Sequence, residues 1–256
     1  MKTEILYEDN SILVIRKPAG LAVQSAGIGQ LDVVSELKSY LAKLPGAGRP
    51  GPGKGEPYLG IVHRLDQPVE GLLVFAKDKK AAAILSKQLT EGALNKHYYA
   101  VLCGYPDCPE GDLVDYLRKE GNVAVAVTGR EQEFADAKIA VLHYRILEEI
   151  NDPSPLALAD VTIGTGRFHQ IRVQFAHAGF PLLGDTKYGM AALKEAMPAQ
   201  KYRGVALCAY SLELVHPVSG KKMGFRVVPK NPAFAGFAME ELKKLTENET
   251  GISKRG

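Results

Sequence analysis

An α+β fold, with a mixed, largely antiparallel β-sheet core flanked by helices, is what this 256-residue sequence predicts. Short strand-like apolar runs recur at hairpin-length separations, and only a few segments carry the apolar spacing of a helix. A hydrophobic content of 46% supplies the core. Residues 1–245 are expected to form one domain, with a frayed tail over 246–256.

The elements follow in order. Ile12-Leu13-Val14-Ile15 is a short buried strand, closed by the turn chemistry of Lys17-Pro18-Ala19-Gly20. Apolar residues at 33, 34, 37, 41 and 44 give Leu31 to Leu44 a helical face. Ile61 to Asp66 and Leu72 to Ala76 are strand ends around a turn at Gln67 to Gly71. A helix over Lys79 to Thr90 has Asp78 as its N-cap and Gly92 as its stop. Tyr98 to Cys103 is a strand with Tyr98, Ala100 and Leu102 on one face. Further strands are expected over 122–127, 137–148, 156–163, 205–215 and 222–228, and a closing helix over 237–245.

Proline and glycine dominate the stretch from Pro45 to Gly60, which is expected to be an exposed loop, either a lid or RNA-contacting finger or a tolerated surface insertion. Gly46 to Gly51 fits GxGxxG, but no strand leads into it and no helix follows. Gly48 to Gly55 approaches a P-loop and fails where Gly55 replaces the hydroxyl residue that would hold magnesium.

Composition removes several function classes. No run approaches the roughly 18 apolar residues of a membrane span, and Met1-Lys2-Thr3-Glu4-Ile5 does not open a signal peptide, so a cytoplasmic protein is expected. Cys103, Cys108 and Cys208 form no CxxC pair, and they read as reduced, mostly buried thiols. A net charge of +3 does not announce nucleic-acid binding by itself. Between Arg167 and Lys187, however, Arg167, His169, Arg172, His177 and Lys187 face only Asp185, which is either a phosphate-binding surface or a solvated run.

Three places hold the residues capable of chemistry. In His63-Arg64-Leu65-Asp66 a carboxylate ends a strand-like run, where an Asp is a turn former or a functional group. A kinase catalytic loop is excluded by the extra leucine before Asp66 and the absence of Asp-Phe-Gly. Lys96-His97-Tyr98-Tyr99 offers tyrosines that are either core residues tethered at the hydroxyl or catalytic groups. Gly164 to Arg172 packs many donors into nine residues, including Arg167, His169, Gln170 and Arg172, and suits a phosphate backbone. No HExxH, metal-ligand cluster or GxSxG elbow occurs.

In this order the segments resemble the RluA/RsuA-type RNA pseudouridine synthases, more closely the RluA branch. The resemblance runs from Ile5-Leu6-Tyr7-Glu8-Asp9 and Lys17-Pro18-Ala19-Gly20 through His63-Arg64-Leu65-Asp66 and Lys96-His97-Tyr98. It continues through Thr165 to Arg172 and Gly184-Asp185-Thr186-Lys187-Tyr188-Gly189 to Leu214-Val215-His216-Pro217. It implies the pseudouridine synthase catalytic fold without the S4-type domain some relatives carry. It further implies that Asp66 is the nucleophile, that Tyr98 packs on or deprotonates the target base, and that Arg172 pairs with Asp66. Arg64 would fill the space left by the flipped uridine, and Lys96, Arg167, His169 and Gln170 would contact RNA. The substrate implied is ribosomal or transfer RNA, met by a monomer. Isomerising uridine involves no net redox change, so neither metal nor organic cofactor is expected.

The chain departs from the family pattern after Asp66, where a Thr-Ser-Gly is usual and Gln67-Pro68-Val69-Glu70-Gly71 stands instead. Glu70, if turned inward, would raise the pKa of Asp66. Gln174 and Cys208 also stand where relatives commonly carry histidines. These changes motivate an alternative, a catalytically weak or inactive RNA-binding protein on the same scaffold.

Overall fold

The computed structural model describes residues 1–25, 27, 29–44, 56–128, 136–151, 154–189 and 204–238. Most of the expected loop over 45–60, most of the closing helix and the whole terminal tail lie outside the described residues. The elements are β1 (Glu4–Glu8), β2 (Ile12–Lys17), α1 (Val33–Leu41), β3 (Gly60–Ile61), β4 (Glu70–Ala76), α2 (Lys79–Thr90) and β5 (Asn95–Cys103). They continue with β6 (Glu110–Glu120), β7 (Val123–Val127), β8 (Lys138–Ile150), β9 (Leu156–Ile163), α3 (Gln170–His177), β10 (Leu207–Val215) and β11 (Lys222–Arg226). This is the α+β class, with antiparallel ladders throughout the pairs described below. The described residues divide into two compact units, one of residues 1–95 and 210–228, the other of residues 96–209 and 229–238.

In the first unit β2 lies between β1 and β4, antiparallel to both. All six of its residues are buried, Arg16 and Lys17 included, so both faces of the strand are covered. α1 buries Val33, Val34, Leu37 and Leu41 and opens with a capping box between Asp32 and Ser35. α2 has the predicted bounds, and Asp78 accepts the Ala81 amide at 2.8 Å. Its buried Gln88 is satisfied by the Val215 backbone, donating to the carbonyl at 2.7 Å and accepting from the amide at 2.9 Å. The strand expected over 61–66 shortens to β3, because the chain beyond Ile61 leads into a turn closed by the Val69 amide on the Asp66 carbonyl at 3.1 Å.

In the second unit the strand order is β5-β9-β8-β6-β7, each pair antiparallel. One face of this sheet carries Leu117, Ala124 and Ala140, against which α3 sets Val173. β6 and α3 were not foreseen from periodicity. β6 alternates charged residues with apolar ones that remain partly exposed, Val114 and Tyr116 among them, so no clean apolar face marks it. α3 is too short and too evenly buried to show a stripe. Among the described residues, no helix is long and apolar enough to cross a membrane.

Candidate active site

Asp66 sits at the start of a turn anchored from below. Leu65 is buried and Asp66 is partly exposed. The next carbonyl, that of Gln67, accepts from the Gly20 amide at 2.8 Å, and the Gln67 side chain donates to the Gly20 carbonyl at 3.1 Å. The turn after β2 and the turn carrying Asp66 are therefore stitched together. Lys17 completes the stitching. It is fully buried, and its ammonium donates to the carbonyls of Leu21 at 2.6 Å, Pro18 at 3.0 Å and Gln67 at 3.1 Å, so each of its three donors has an acceptor. Burial pulls this ammonium down to about 7, against the pull of the Asp66 and Glu70 charges, which favour the protonated form.

Glu70 does point inward, being 4% exposed. It has a cationic partner there: Arg16 lies 3.5 Å from its carboxylate and donates to the Val228 carbonyl at 2.6 Å. The acid that replaces a family hydroxyl is thus buried beside a guanidinium, which offsets its effect on neighbouring carboxylates. Arg64 is exposed and donates to the Gln24 side chain at 3.0 Å.

The second unit holds the other expected residues. Tyr98 is buried on β5, opposite Val161 of β9. Lys96 is two residues earlier on the same face, where burial lowers its ammonium below the ordinary value. It has no hydrogen-bond or ion-pair partner among the described residues. An unpaired, half-buried cation is suited to an anionic ligand.

Much of the donor-rich segment is used by the protein itself. Gln170 is buried, donates to the Val141 carbonyl at 3.0 Å, and accepts from the Thr165 hydroxyl at 2.8 Å and the Arg167 amide at 3.0 Å. Arg167 donates through Nε to the Ile139 carbonyl at 2.9 Å. Arg172 forms a bidentate pair with Asp185, Nε to Oδ2 at 2.7 Å and Nη2 to Oδ1 at 2.9 Å. Asp185 also accepts the Lys187 and Tyr188 amides, at 3.0 and 3.2 Å. Tyr188 lies with its ring 5.0 Å from the Arg172 guanidinium and its hydroxyl 2.5 Å from His169 Nδ1. The segments around Gly184 and Thr165, separate in sequence, are therefore one bonded unit.

Residue spacing pointed to neither Lys17 nor Asp185 as a structural centre. A signal existed for Lys17: it extends an apolar run into a turn that has nowhere to place a free ammonium. Asp185 had a weaker one, as the lone acid in a cationic stretch. Among the described residues, no group of three or more His, Cys, Asp or Glu side chains is arranged to hold a metal ion.

This α+β framework, with an aspartate on a locked turn and an arginine braced at the start of a short helix, has a family. Residues 11–177 match the RNA pseudouridylate synthase model, and the chain belongs to that family of RNA-modifying enzymes. The match to individual relatives runs further along the chain. It is 36% identical, over 87% of its length, to ribosomal large subunit pseudouridine synthase D of Zymomonas mobilis, covering 68% of that protein. It is 38% identical, over 85% of its length, to an uncharacterized RNA pseudouridine synthase of Synechocystis, covering 63% of it. The chain thus spans about two thirds of the length of these curated relatives. Human RNA pseudouridylate synthase domain containing 1 has the same fold, with a TM-score of 0.70 at 19% identity over 96% of this chain and 94% of that one.

Proposed function

We propose that the chain isomerises uridine to pseudouridine in ribosomal or transfer RNA, with Asp66 as the nucleophile. The observation that carries this reading is the presentation of Asp66: a partly exposed carboxylate on a turn fastened by a fully buried lysine. The names of several relatives, given as ribosomal large subunit pseudouridine synthases, support ribosomal RNA as the first substrate to test.

In this reading the ionised Asp66 attacks either the sugar carbon or C6 of the flipped uracil, holding the fragments together while the base turns. The ring rejoins the sugar through C5, and the C5 proton leaves to complete the isomerisation. Tyr98 supplies a flat face for the base and a hydroxyl for that proton. Arg172, held in place by Asp185, favours the ionised form of Asp66. Arg64, exposed and hydrogen-bonded to a neutral partner, stacks into the gap left by the flipped base. Lys96, Arg167 and His169 bind the RNA backbone around the site, and Gln170 acts with them by holding the Thr165–Arg167 turn. The enzyme works as a monomer in the cytoplasm.

Purified protein incubated with RNA from cells lacking it is expected to form pseudouridine at defined positions. Asp66→Ala is expected to abolish conversion while leaving the thermal unfolding transition in place. Unchanged conversion by Asp66→Ala would overturn the assignment.

A further inference from the structure

Phe168 is a large apolar side chain kept at the surface, 40% exposed, two residues before α3 begins. Its ring stacks on that of His169, with centroids 3.8 Å apart and an interplanar angle of 22°. The ammonium of Lys119 on β6 lies 4.9 Å from the centroid of the same ring. Since the imidazole fills one face at van der Waals distance, the ammonium covers the other.

His169 is itself rigidly held. Among the described residues it is the one non-glycine with positive φ, 53°. Its Nδ1 is 2.5 Å from the Tyr188 hydroxyl, and its ring meets that of Tyr188 edge-on at 5.5 Å. A left-handed conformation at a residue with a side chain persists only where the surroundings impose it, and such residues cluster at binding sites. Its effect here is to hold a second aromatic ring flat beneath an exposed one. Phe168 nonetheless keeps 40% of its surface exposed.

We propose that Phe168, backed by His169 and flanked by Lys119, is a stacking platform for an unpaired base of the RNA substrate. The proposal rests on the RNA-substrate reading above and adds a contact that reading does not contain. An unpaired base presents a flat π-face of any sequence, and an aromatic ring beside a cation is the usual surface for it. On binding, the Lys119 ammonium leaves the ring face to the base and moves to the adjoining phosphate. Glu120, the acid next to Lys119, is occupied by Arg118 at 2.6 and 3.0 Å, which limits its competition for that cation.

The chain contains no tryptophan, so Phe168→Trp introduces a single reporter at the platform. The control reporter is Tyr116→Trp, on the opposite face of β6 and 44% exposed before substitution. Each variant is titrated with a short single-stranded oligouridylate and, separately, with heparin, a polyanion without bases. Oligouridylate is expected to quench Phe168→Trp, heparin is not, and neither should quench Tyr116→Trp. Phe168→Ala is expected to bind oligouridylate roughly five- to a hundredfold more weakly, while Phe168→Trp retains wild-type affinity. An unquenched Phe168→Trp at saturating oligouridylate, or wild-type affinity in Phe168→Ala, overturns the platform. Quenching is read without turnover, so it separates this proposal from the nucleophile assignment, which stands or falls on Asp66→Ala.

Discussion

Arg172 and Asp185 form a bidentate ion pair with side chains 4% and 1% exposed, joining the start of α3 to the Gly184–Gly189 segment. Breaking a buried pair from one side leaves the other charge unpaired, which costs about 3–5 kcal/mol. Asp185→Ala is therefore expected to lower the urea unfolding free energy by that order. Arg172→Lys is expected to fail as well, because an ammonium cannot reproduce the two parallel bonds. If Arg172 also serves Asp66, Arg172→Lys loses far more turnover than RNA affinity, which single-turnover kinetics separates.

A second tie fastens the β10–β11 hairpin to the first strands. His216, 6% exposed, has its Nε2 2.6 Å from the Asp9 carboxylate. Its Nδ1 accepts the amides of Val218 and Ser219 at 3.2 and 3.0 Å, so the ring proton belongs on Nε2 and points at Asp9. Burial raises the Asp9 carboxyl, but the amides of Ile12 and Ser11 and the His216 contact outweigh it and hold the pKa below 3.8. That stabilisation is present above the unfolded value and lost as pH falls through the folded one. His216→Ala is expected to cost about 1–3 kcal/mol in chemical denaturation at neutral pH, and to make acid unfolding begin earlier.

The elements legible in the sequence were those whose periodicity serves a single purpose. α2 has an N-cap aspartate, a buried side and a stop, and its bounds were read without error. β2 was legible as an apolar run, but its burial of Arg16 and Lys17 was not, because a charged residue at a strand end normally marks the surface. In the sequence, Gly164 to Arg172 shows many donors within nine residues, which suits a phosphate backbone. The acceptors are supplied by Val141, Ile139 and Asp185, outside the segment and brought close only by the fold. The same segment hid α3, since its polar side chains are buried by pairing. Motif order made the family legible, whereas the bonding inside the site required coordinates.

Lys17 makes a prediction about pH. Its folded value of about 7 lies below the ordinary 10.5, so between the two the unfolded chain holds a proton that the folded chain has lost. Stability therefore rises with pH across that window. Cys103 acts in the other direction: burial pushes its thiol from 9.0 to about 11, so it loses stability only above pH 9. The urea midpoint is thus expected to climb between pH 7 and pH 9, and Lys17→Met should start lower and lose the climb. A flat wild-type profile over that range would show that the three carbonyl bonds keep the ammonium charged throughout.

Arg16 and Glu70 supply the most direct test of how this chain tolerates an acid next to its expected nucleophile. Both are buried, Glu70 enters β4 four residues after Asp66, and Lys17 feels the charge of both carboxylates. Removing Arg16 alone leaves Glu70 without its guanidinium and the Val228 carbonyl without its donor. Arg16→Met is accordingly expected to cost about 3 kcal/mol or more in urea unfolding. Glu70→Ser on the same background removes the buried acid that has lost its guanidinium, so the double variant should recover part of the stability. The two effects are then non-additive, as expected of residues in contact. A double variant no more stable than Arg16→Met would place the cost in the lost Val228 contact and not in the charge on Glu70.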